Sequence, residues 1–67
     1  MQSKFFKSSS RGTHWRIDKH IDIANRWIVA ECVPIGNADH NWEDRFYLYA
    51  SSKDEAYKQA LSRIERN

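Results

Sequence analysis

Cysteine is nearly missing from this chain: Cys32 stands alone, so no disulfide can close within one molecule. That usage fits a reducing compartment, where a lone thiol behaves as a small hydrophobe. Glycine is scarce as well, with Gly12 and Gly36 only, and a phosphate cradle needs several backbone positions free of a Cβ. No apolar run approaches the ~18 residues of a membrane-spanning helix, so no membrane partner is expected. The first residues are polar and basic, and Phe5-Phe6 is too short for the apolar stretch of a secretory leader. The expectation is an intracellular, cytoplasmic protein. Charge of neither sign dominates: eleven Lys and Arg face nine Asp and Glu, for a formal +2. Mimicry of DNA needs strong negative charge and is disfavoured.

What is present is a helix signal. Residues 52–67 read as one capped amphipathic helix. Ser52 and Glu55 have the Ser-x-x-Glu spacing of a capping box, and Asp54 and Glu55 lie at the positive end of the helix dipole. Ala56, Tyr57, Ala60, Leu61 and Ile64 follow a 3.6-residue period and form one apolar stripe.

Upstream the apolar residues alternate with period two. Residues 13–24 read as a first strand, with Trp15, Ile17, Ile21 and Ile23 on one face and Arg16, Asp18, His20 and Asp22 on the other. Asn25-Arg26 reads as a tight turn, because Asn tolerates positive φ. The second strand, 27–35, is apolar on both faces and so reads as central. Residues 36–44 read as a polar loop containing His40 and Trp42, and 45–50 as a third strand. Residues 1–12 read as a flexible basic arm, and 13–67 as a single domain.

The expected fold class is therefore α+β: a three-stranded antiparallel β-meander followed by one C-terminal α-helix packed on one sheet face (β-β-β-α). Phe46, Leu48 and Ala50 are placed under the helix, with Ile28, Ala30 and Cys32 as the smaller set of the central strand. The other face then displays Arg16, Trp27, Val29, Glu31, Val33, Tyr47 and Tyr49. One helix cannot cover both faces, and an apolar patch above a few hundred Å² marks an interaction site unless Phe5 and Phe6 of the arm fold back over it; a central strand turned over by one residue would expose Ile28 and Cys32 there instead.

Catalytic and metal signatures are weak. His14 and His20 lie six residues apart on one strand, roughly 20 Å, too far to share an ion. Asp39, His40, Glu43 and Asp44 read as a solvated acidic loop, and no metal, cofactor, small-molecule substrate or enzymatic activity is expected. The element order, three strands and then a helix, resembles the DNA-binding domains near the N-termini of some phage-type integrases; the likeness is one of layout, with no shared motif residue. It implies a nucleic-acid interface, for which Lys4, Lys7, Arg11 and Arg16 are the candidates. Asp18, Asp22 and Glu31 would repel phosphates there. The preferred expectation is a small non-enzymatic binding protein of accessory or inhibitory type, such as bacteria and phages encode. It would engage a protein partner or its own copy through Arg16, Trp27, Val29, Tyr47, Tyr49, His40 and Trp42.

Overall fold

The expected helix forms over Lys53–Glu65 (α1) in a computed structural model that describes residues 3–66. The ends assigned above to the arm (1 and 2) and to the domain (67) lie outside the described residues. Ser52 is the N-cap, its Oγ accepting the Glu55 N–H at 3.2 Å. The return half of the box is displaced by one residue: the Glu55 carboxylate accepts from Ser51 Oγ at 2.7 Å and Ser51 N at 3.4 Å. These bonds to Ser51 hold the Glu55 carboxyl below its usual range.

The sheet has four strands, which corrects the expected three. They are β1 (Ser3–Lys7), β2 (His14–Lys19), β3 (Arg26–Ile35) and β4 (Asp39–Tyr49), antiparallel in the order β1-β2-β3-β4. The additional strand comes from the expected arm. Lys4 pairs with Ile17 and Phe6 with Trp15, which brings Phe6 against the Tyr57 ring at 5.1 Å. A turn closes the β1–β2 hairpin through Ser8 N to Thr13 O and Gly12 N to Ser8 O, both 2.8 Å. Gly12 sits at φ +71, where a side chain would be strained.

β2 is shorter than the expected 13–24 because the chain turns at His20. Its Nδ1 accepts the Asp22 and Ile23 N–H groups at 3.1 Å, and Asn25 takes φ +60. Ile21 and Ile23 therefore leave the core, and Ile21 is 94 % exposed. β4 is longer than expected. Asp39–Asp44 pair with Ala30–Ile35, so the polar loop shrinks to Gly36–Ala38, with Gly36 at φ +79. Strand pairing needs backbone groups, and polar side chains do not prevent it where one sheet face meets water. Between Val29↔Phe46 and Ala30↔Asp44 the register slips, leaving Arg45 as the extra residue of a β-bulge.

The helix-covered face holds Trp15, Ile17, Trp27, Val29, Leu48 and Ala50 against Ala56, Ala60 and Ile64, with Phe6, Phe46 and Tyr57 packed beside them. This reverses the expected orientation of the central strand: Trp27 and Val29 are core, while Ile28 and Cys32 are half-buried on the other side. The small residues that allow close packing come from the helix, as Ala56 and Ala60, so the strand can supply the bulk. The Trp27 indole N–H also finds an acceptor there, Ala50 O at 3.0 Å. At the outer margin of β4, Gln59 Nε2 donates to Tyr49 O at 3.0 Å and Arg63 Nη1 to Tyr47 O at 3.4 Å.

Candidate functional site: the uncovered sheet face

Strand register sorts the uncovered face into rows. The first holds Arg26 and Tyr49; the second Ser3, Asp18, Ile28 and Tyr47; the third Phe5, Arg16, Ala30 and Asp44; the fourth Lys7, His14, Cys32 and Trp42. Successive rows are ~6.6 Å apart, two residues along a strand.

The third and fourth rows close partly over themselves. Phe5 and Trp42 meet edge to face at 5.9 Å, and the Arg16 guanidinium lies 4.7 Å from the Trp42 ring centre. Ala30, beneath them, is 1 % exposed although no helix lies on its side. Phe5 thus lends partial cover from the edge strand while remaining 64 % exposed itself. In the first and second rows Arg26 stacks on Tyr47 at 4.0 Å. Tyr47 and Tyr49 stay 47 % and 62 % exposed. Arg16 Nε approaches Asp18 Oδ2 to 2.6 Å as an ionic contact without hydrogen-bond geometry, and Ser3 Oγ also donates to Asp18.

On the helix side, one buried carboxylate ties this end of the sheet together. Glu31 was expected on the uncovered face. It is 1 % exposed on the opposite one, where Arg11 donates through Nε at 3.1 Å and Nη2 at 3.2 Å. Thr13 Oγ1 donates at 2.6 Å and the bulge residue Arg45 through Nε at 2.9 Å. Burial by itself drives this carboxyl upward; the bonds from Arg11, Thr13 and Arg45 overcome that and lower it to about 2. Arg45 is raised in turn by its bonds to Glu31 and Glu43. A second clasp holds the β1–β2 turn to the helix end, where Glu65 accepts from Ser8 Oγ at 3.0 Å and from the Ser9 and Ser10 N–H groups, both at 3.1 Å. Bonds from Ser10 and Ser8 keep the Glu65 carboxyl below its usual range.

Of the expected partner-binding residues, Arg16, Tyr47, Tyr49, His40 and Trp42 fall on the uncovered face, His40 beyond the fourth row opposite Pro34. Trp27 and Val29 do not: at 1 % and 0 % exposure they lie under the helix and offer no surface. Arg26 belongs to the face and was missed; Ile28 reaches it because the central strand is turned over, and Phe5 reaches it as one of the two arm aromatics considered as its cover, while Phe6 goes to the helix side. Their period-two relation to Tyr47 emerges only once β1 is recognised as a strand and β3 is turned over. The nucleic-acid candidates are dispersed. Lys4 Nζ sits 4.7 Å over Tyr57 on the helix side, Arg11 is bound to Glu31, Arg16 to Asp18, and Lys7 is exposed at the edge strand.

An open, shallow concavity beside the second row is lined by Asp18, Lys19, His20, Ile21, Asp22 and Ile28. Among the described residues no group of three or more His, Cys, Asp or Glu is placed to hold a metal ion. No helix among them is long and apolar enough to cross a membrane. No family model, curated protein or solved structure matches the chain, so neither the layout likeness to integrase domains nor any other kinship gains support.

Proposed function

We propose that the chain is a non-enzymatic binding protein that engages a protein partner or its own copy through the uncovered sheet face. The observation that carries this reading is the exposure of Phe5, Tyr47 and Tyr49, together on the side that α1 does not reach. Aromatic rings held rigidly by strand backbone, with Arg16 and Arg26 stacked on two of the aromatics, have the composition of interface hot spots. Mixed charge around the rings, from Lys7, Arg16 and Arg26 against Asp18 and Asp44, suits a protein surface better than a polyanion.

The alternative, nucleic-acid binding through the basic arm and this face, has weaker support, because Arg11 and Arg16 already neutralise carboxylates. The test is affinity capture with the wild-type chain beside the double variant Tyr47→Ser/Tyr49→Ser. Proteins retained by the first at moderate salt and lost by the second, with unchanged far-UV circular dichroism, are the expected result. An identical capture profile, with no difference in self-association by light scattering, would refute the reading. A gel shift that weakens steeply with salt would instead favour nucleic acid.

A further inference from the structure

We infer that the occupant of this face is a second copy of the chain, the two sheets stacked face to face about a two-fold axis that crosses β2 between Arg16 and Asp18. This rests on the reading of the face as a binding surface and names what covers it.

The first argument is self-complementarity. A two-fold contact places residue i against j and j against i, so a patch fits its own copy only when its features pair across a midpoint. Arg16 and Asp18 do so. They are opposite charges two positions apart on one strand, both pointing to the uncovered face and both partly accessible. With the axis in the interface plane, perpendicular to the strands and midway between them, Arg16 of one copy lies over Asp18 of the other, and the reverse. The four charges form an alternating square in which each guanidinium meets two carboxylates. Stacked sheets sit about 10 Å apart, a gap that Arg and Asp side chains reaching from both sides can close.

The same operation matches the remaining rows. The second row exchanges with the third, so half-buried Ile28 faces the aromatic cover, Phe5 and Trp42, that lies over Ala30 of the other copy. The first exchanges with the fourth, so Tyr49 faces Trp42. The Trp42 ring is held by Phe5 and Arg16 of its own copy, so exposed Tyr49 meets a fixed surface there.

Size is the second argument: at 67 residues one core is marginal, and a second copy would shelter the aromatic side that α1 leaves open.

Sedimentation velocity of the full chain from micromolar to millimolar concentration tests this. The expected species has twice the 8.0 kDa chain mass. Arg16→Glu alone and Asp18→Lys alone each set like charges against one another in the homodimer and should weaken it by about tenfold or more. Mixed together, the two variants restore every opposite-charge contact and should dimerise with near wild-type affinity. A merely intramolecular Arg16–Asp18 pair cannot give that rescue. Far-UV circular dichroism checks that each variant is folded. Should either swap unfold the chain, Tyr49→Lys mixed with Trp42→Glu brings a Lys–Glu pair together only in the heterodimer, so the mixture should associate more tightly than either variant alone, and equal association would overturn the proposal.

A wild-type chain that stays monomeric to millimolar concentration overturns the proposal. The Tyr47/Tyr49 capture comparison then reads separately whether another protein uses the face. A dimer that the swaps leave intact, or swaps that do not complement on mixing, also overturns it. So does occupation of the face by single-stranded oligothymidylate in place of a second copy.

Discussion

Replacing Glu31 by Gln is the most demanding test of how this fold is held. The native carboxyl is lowered from 4.5 to about 2, a differential worth about 3 kcal/mol in favour of the folded state when fully ionised. Between those two values the unfolded chain binds the proton that the folded chain refuses. The contribution is therefore complete above pH 4.5, about half gone near pH 3, and lost once pH falls below about 2. Gln cannot titrate, and it presents an amide donor to the guanidinium groups of Arg11 and Arg45. A chain of 67 residues has roughly 3–10 kcal/mol of total stability. Glu31→Gln should therefore lower the melting temperature by roughly 10–20 °C at pH 7. The assay is urea and thermal unfolding of both proteins from pH 7 down to pH 2, followed by circular dichroism. Glu55 and Glu65 also titrate below their usual range, but they do so in both proteins and cancel in the difference. A gap between the two proteins that stays constant from pH 7 to pH 2, or one under about 1 kcal/mol at pH 7, would refute the reasoning.

Three further outcomes follow from the packing. Trp27→Phe keeps most of the core volume but orphans Ala50 O, and should cost about 1–3 kcal/mol by urea unfolding. Asn25→Val forces a β-branched residue into φ +60 and should destabilise by about 1–2 kcal/mol, whereas Asn25→Gly should be nearly neutral in the same measurement. Glu65→Ala removes the acceptor of the Ser9 and Ser10 amides, and hydrogen exchange at those two positions should quicken while α1 interior amides keep their protection.

The helix was legible because its signals are local: a cap at Ser52, acids in the first turn and an apolar stripe suffice. Asn25 was legible for the same reason, since its tolerance of positive φ is a property of the residue itself. What escaped depends on pairing. Ser3–Lys7 carries two adjacent phenylalanines and no alternation, and it becomes a strand through its partners across Gly12. In β3 both faces are apolar, so the pattern cannot say which side meets the helix; the alanines of α1 and the acceptor at Ala50 decide it. The Arg45 bulge leaves no trace in a hydrophobicity pattern, yet it gives the buried carboxylate of Glu31 its second guanidinium. At the surface, aromatic content pointed to an uncovered face and the Phe5-Phe6 pair to a cover for it; pairing as a strand is what sends Phe5 there and Phe6 under the helix.

The two helix side chains that donate to Tyr47 O and Tyr49 O have a consequence for assembly. An open sheet margin invites a neighbour to add its own strand, the first step toward fibrils. Gln59 and Arg63 spend those carbonyls inside the molecule, so sideways polymerisation is blunted along this stretch of β4. Growth by lateral templating is discouraged where the chain is most aromatic.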